Sequence, residues 1–139
     1  MAIDSVTGSV DVWILDLLRG ARTRLTFDVG AKLNPQWMPD NKRILFELKD
    51  SKNAETRVVM KPVDGSGQET TLMHGPLEMI LSKVSKDGRF FGYTGYDSDH
   101  SQYMKLVPIG EEWNQAAIDK LPKLRPASNP RPSPATSTV

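Results

Sequence analysis

Up to about Gly110, apolar residues alternate with polar ones or run in blocks of four to seven, each broken by turn residues. That is the period of strands. Val12-Trp13-Ile14-Leu15 leads into Leu18-Arg19-Gly20-Ala21, and Thr23-Arg24-Leu25-Thr26-Phe27 follows. Pro35-Gln36-Trp37-Met38 leads into the turn Pro39-Asp40-Asn41, and Ile44-Leu45-Phe46 comes next. Val58-Val59-Met60 runs into Asp64-Gly65-Ser66-Gly67, and Thr70-Thr71-Leu72 closes the unit. A second round has Met79-Ile80-Leu81 and Val84, the turn Lys86-Asp87-Gly88, Phe90-Phe91-Gly92-Tyr93, the loop Asp97-Ser98-Asp99, and Met104-Lys105-Leu106-Val107.

The second round repeats the first at a fixed spacing. Asp16-Leu17, Pro62-Val63 and Pro108-Ile109 fall at equivalent strand ends, 46 residues apart each time. The turn at Asp40-Asn41 recurs as Asp87-Gly88 after 47 residues, and Phe46 recurs as Tyr93 at the same interval. Four short strands per unit and a period in the forties mark a propeller blade rather than a sandwich. Asp-Asn and Asp-Gly suit tight turns, because Asn and Gly tolerate positive φ. These aspartates are therefore read as turn chemistry.

The expected fold is all-β over residues 1–110, a partial β-propeller of four-stranded antiparallel blades. After Gly110 the pattern changes. Residues 111–121 read as a short amphipathic helix with Trp113, Ala117 and Leu121 on one face. Glu111 and Glu112 stand in its first turn, where the helix dipole favours acids, and Pro122 ends it. Residues 122–139, with Pro126, Pro130, Pro132 and Pro134 among Ser and Thr, read as a disordered tail.

Composition adds mainly exclusions. The 139 residues are 38% hydrophobic and 25% charged, ordinary for a soluble domain, and the longest apolar runs are far too short to span a bilayer. Residues 1–8 lack the basic start and apolar stretch of a secretion signal, so the chain as written is expected in the cytoplasm, or in the periplasm if excised from a larger exported protein. There is no cysteine, which excludes disulfides, thiolate nucleophiles and sulfur-based zinc sites. Net charge is +1, and Lys123, Arg125 and Arg131 stand at the end with no acid beyond them. Three spaced cations without interleaved aromatics make only a weak electrostatic footprint for nucleic acid, which is not expected as a partner, and they read as a solvated basic tail.

No catalytic pattern is present, and no cofactor is expected. Gly65-Ser66-Gly67 is too short for a nucleophile elbow, and there is no phosphate-cradling glycine loop or kinase catalytic-loop motif. His74 falls in a linker between blades. Asp97, Asp99 and His100 are candidate ligands for a hard metal, but the loop lacks the Gly and distal Glu of a calcium site, and an exposed polar turn accounts for them. Trp13 and Trp37 are expected to fill the space between blades, with Trp113 anchoring the helix. Arg19, Arg22 and Arg24 read as a solvated basic strip.

Asp11-Val12-Trp13-Ile14-Leu15-Asp16-Leu17, with Arg19-Gly20 and Arg24-Leu25-Thr26-Phe27-Asp28, resembles the strand pair of TolB-type, WD40-like (PD40) propellers. Pro35-x-Trp37-x-Pro39-Asp40-x-x-x-Ile44-x-Phe46 is similar to that family's Pro-x-Trp-Ser-Pro-Asp-Gly signature. Met38 stands in place of its Ser and Asn41 in place of its Gly. In the second copy Val84 replaces the Trp and Lys86 the Pro. The resemblance covers residues 4–109 and is closest to the C-terminal propellers of bacterial serine/threonine kinases. It implies that the chain holds strands C and D of one blade, A to D of a second and A to C of a third. It also implies a non-catalytic scaffold that binds proteins or peptides. The alternative is the accessory portion of a larger kinase or S9-type serine peptidase whose catalytic domain lies elsewhere. Incomplete blades leave open edges, so a homo-oligomer built by swapped strands or stacked blades is expected. The competing expectation is a monomer whose helix covers the open face.

Overall fold

The computed structural model describes residues 10–110 and 114–125. β1 (Trp13–Leu15) and β2 (Arg22–Arg24) make a two-stranded sheet. β3 (Ala31–Trp37), β4 (Arg43–Asp50), β5 (Glu55–Pro62) and β6 (Thr70–Pro76) make a four-stranded sheet in chain order. β7 (Ile80–Val84), β8 (Phe90–Tyr96) and β9 (Gln102–Pro108) make a three-stranded one, and α1 (Gln115–Asp119) follows. Among the described residues every strand pair is antiparallel, and no sheet closes into a barrel. The fold is mostly β, and described sheets of two, four and three strands match the count expected of a partial propeller.

The repeat is written in the backbone bonds. Met38 N–H donates to Arg43 O at 2.8 Å, and Asn41 N–H donates to Met38 O at 3.0 Å. At positions 47 residues later, Ser85 N–H donates to Phe90 O at 2.8 Å and Gly88 N–H to Ser85 O at 3.0 Å. Asn41 and Gly88 carry positive φ (57° and 73°), the left-handed conformation that a tight turn demands. The β3–β4 register slips between Leu33 and Gln36, and the β7–β8 register slips at the matching place, between Leu81 and Val84.

Strand alternation explains the two cores. Along β4, Ile44, Phe46 and Leu48 face the first sheet and meet Val12, Leu25 and Val59. Leu45 faces the other way, with Val58 and Met73, toward Leu81, Phe91, Tyr93 and Val107 of the third sheet. The second sheet is thus covered on both faces, which is why β4 reads as a nearly continuous apolar run.

Several elements differ from expectation. β2 ends at Arg24 rather than Phe27. The Thr26 hydroxyl accepts Val12 N–H at 3.0 Å, replacing a ladder rung, and Phe27 is left exposed. His74 lies in β6, not in a linker, because β5 is long enough to pair as far as Glu55 with Pro76. The helix spans only Gln115–Asp119, opened by Asn114, whose side-chain oxygen accepts Ala117 N–H at 2.9 Å, and its first turn holds no acid. Its buried residue is Ile118, with Leu121 packed beside the same core; Glu111, Glu112 and Trp113 lie outside the described residues. Of the segment expected to be a tail from 122 onward, Leu124 pairs with Met104 of β9, Lys123 and Arg125 bind Asp97 in the loop before it, and 126–139 lie outside the described residues.

Candidate functional site

Leu18, Phe27 and Val29 are exposed singly in loops, while two surfaces at the ends of the described sheet stack each line an apolar hollow with several side chains. The first is the inner side of β1. Asp16 N–H donates to Ala21 O and Leu25 N–H to Val12 O, each at 2.9 Å. By antiparallel alternation, Trp13 and Leu15 then turn their own N–H and C=O to the free edge, where no described strand pairs. Beside that edge lies a groove of about 360 Å³ lined by Trp13, Leu15, Leu17, Pro35 and Trp37. Trp37 is 51% exposed, so it does not fill a space between blades as expected. Among the described residues no inner strand of the first sheet covers it. Trp13 is half-buried, and its Nε1 is buried with no hydrogen-bond partner among the described residues.

The second surface is the outward face of the third sheet. Along β9, Tyr103, Lys105 and Val107 point into the core, while Met104 and Leu106 point out and are 40% and 49% exposed. With Val84, Phe90 and Gly92 they line an apolar hollow of about 530 Å³. Helix α1 does not cover it. Gln115 Oε1 accepts His74 N–H at 2.7 Å from β6, and Lys105 Nζ reaches Asp119 O at 3.1 Å. The helix therefore fills the wedge between the second and third sheets, on the opposite side of β9.

Charged side chains at the junctions between sheets escaped sequence reasoning. Before β1, buried Asp11 accepts from Thr26 Oγ1 and Arg24 Nη2, each at 2.7 Å, and buried Lys32 of β3 lies 3.1 Å away. Burial alone would raise the Asp11 carboxyl, but the bond from Thr26 and the Lys32 and Arg24 cations outweigh it and hold it below the usual carboxylate range. Arg24 is thus an internal partner rather than part of a solvated strip; Arg19 lies beside Asp16, and Arg22 is exposed. At the next junction Glu47 accepts Leu81 N–H at 2.6 Å, and Lys49 donates to the carbonyls of Leu77 and Met79. The signal was present: Glu47 interrupts an apolar run and Lys105 sits on the inward side of an alternating one. A charge at a core-facing position must be paired.

The repeat residues hold turns and packing. Asp16, Asp40 and Asp87 each accept a backbone N–H two residues on, and Gly20 has φ 68°. Gly88 lies against the Pro39 ring, while Phe46 and Tyr93 are buried at matching positions, each facing the preceding sheet. Asp97, Asp99 and His100 do not converge on an ion, and the described residues contain no cluster of three or more metal-ligating side chains. Asp97 is bound by Lys123 Nζ at 2.7 Å and by Arg125, Asp99 accepts Ser101 N–H at 3.0 Å, and His100 carries φ 67° in the loop. Ser66 closes a turn on Asp64. No described helix is long and apolar enough to cross a membrane. A scan against protein-family models finds no match, and a search of curated proteins finds none.

Proposed function

We propose that this chain is a non-catalytic, propeller-like interaction module of the TolB/PD40 type that associates with further copies of itself at the two ends of its sheet stack. One observation carries the reading. The outward face of the third sheet is apolar and uncovered, whereas the same face of the second sheet is buried under its neighbour. Met104 and Leu106 stand where Val58 and Met60 stand one repeat earlier. The exposed groove at Trp13, Leu15 and Trp37 supplies the complementary end, so contact between unlike ends builds a ring or a short stack. A propeller ring formed in this way offers its central channel to a protein or peptide ligand.

Light-scattering mass at micromolar concentration tests the proposal. The expected mass is a multiple of 15.5 kDa, falling toward a single chain when Leu106→Asp places a charge in the contact. A wild-type mass of one chain overturns it.

A further inference from the structure

We infer that residues 114–125 are a guard, supplied by the chain itself, that closes the outer edges of the second and third sheets to strand addition, with the cations around Asp97 as its release point.

Outer edges of sheets present unpaired N–H and C=O groups, and natural sheets cover them with helices or loops. Here the cover is observed at both edges. On β6, the His74 amide is taken by Gln115 Oε1. On β9, Met104 N–H donates to Leu124 O at 2.8 Å and Leu124 N–H donates to Met104 O at 2.7 Å. This one antiparallel pair puts Leu124 where a fourth strand of the third sheet would run. By alternation the outward backbone groups of β9 belong to Gln102, Met104 and Leu106, so Leu124 blocks the middle rung.

A single pair of backbone bonds does not hold an extended segment against chain entropy. The holding contacts flank it. Lys123 and Arg125 each bind one oxygen of Asp97 in the β8–β9 loop, and Lys123 Nζ lies 4.7 Å from the centre of the Tyr103 ring. Upstream, Ile118 is buried and Lys105 fixes the last carbonyls of α1. The guard is therefore anchored permanently at Ile118 and reversibly at Asp97. The reversible end is exposed, where ion pairs are weak and screened by salt. Freed of Leu124, β9 offers three consecutive outward rungs, and we take a strand of a second copy as the occupant.

The inference rests on the proposed self-association only in naming that occupant. The test compares amide exchange by NMR and light-scattering mass for the full chain, wild type against Lys123→Ala/Arg125→Ala and, separately, Asp97→Asn. The expected result is that the Met104 amide exchanges at least about fivefold faster, Tyr103 and Lys105 amides are unchanged, and the mass rises above that of wild type. On wild type, 1 M NaCl is expected to speed Met104 exchange in the same direction, which keeps the test open if a variant fails to fold. Unchanged Met104 exchange overturns the inference, as does a rise at all three amides together, or faster Met104 exchange with no gain in mass. A wild type that is monomeric while its clamp variants associate would remove the earlier proposal and keep this one.

Discussion

The second and third sheets are two readings of one repeat, and they differ in what lies beyond them. At positions that face onward along the stack, the second sheet carries Leu45, Glu47, Val58 and Met60. The third carries Gly92, Thr94, Met104 and Leu106 in the same register. The second sheet's set is covered except at Met60, which is partly buried: Glu47 bonds to the third sheet, and Leu45 and Val58 are fully buried. The other set is half-open and thinned, with glycine standing where leucine stood. Facing backward the pair differs again, since Lys105 occupies the place of Val59 and reaches the end of α1. Identical backbone units thus acquire different side-chain chemistry according to whether a sheet or a helix is their neighbour.

The largest effect that separates the two sheets is expected from their cores. Phe46→Ala removes a fully buried ring between the first and second sheets and should cost about 3–5 kcal/mol in urea unfolding. Leu106→Ala, on the open face, should change the stability of the single chain by no more than about 0.5 kcal/mol. Comparable losses at both sites would mean that the third sheet is covered after all. Next comes Asp11→Ala, which takes its counter-ion from the buried Lys32 ammonium at the junction of the first two sheets and leaves it on the Asp28 carbonyl. Breaking such a pair from one side costs about 3–5 kcal/mol, and a loss under about 1 kcal/mol would show the pair to be hydrated.

How much of this could be read in the chain depends on the kind of signal. Turns and strand ends were legible because left-handed φ and tight pairing restrict residue choice, as at Asn41 and Gly88. The repeat indicated four strands per unit, and the resemblance to propeller blades implied how the strands divide among the sheets. The fate of the charges was not legible: Lys32, Arg24 and Lys123 look like surface residues until distant parts of the chain place Asp11 or Asp97 beside them. Trp37 shows the converse limit, since its hydrophobicity says that it wants a neighbour and not whether one is present.

The smallest effect lies at the third sheet's outer edge and depends on pH. Bonds from Lys123 and Arg125 lower the Asp97 carboxyl from 3.8 to about 2. A carboxylate whose pKa is lower folded than unfolded favours the folded arrangement above the unfolded value, and that contribution fades as pH falls through the folded one. The clamp should therefore be whole above about pH 4 and lost on the way down to about pH 2. Of the facing groups, Lys123 and Arg125 remain cations throughout, while Asp99 is lowered as well, chiefly by its own bonds from Ser101, so the Asp97 share is isolated by comparison with Asp97→Asn. The Met104 amide is held by Leu124 O, so its hydrogen-exchange protection factor, followed by NMR from about pH 5 to about pH 2, reports release of the guard. In wild type, protection should fall across the window. In Asp97→Asn it should be low throughout and show no step of its own. Matching profiles for the two chains would mean that the ion pairs do not hold Leu124, leaving the segment to the buried Ile118 and the bonds from Lys105 and His74.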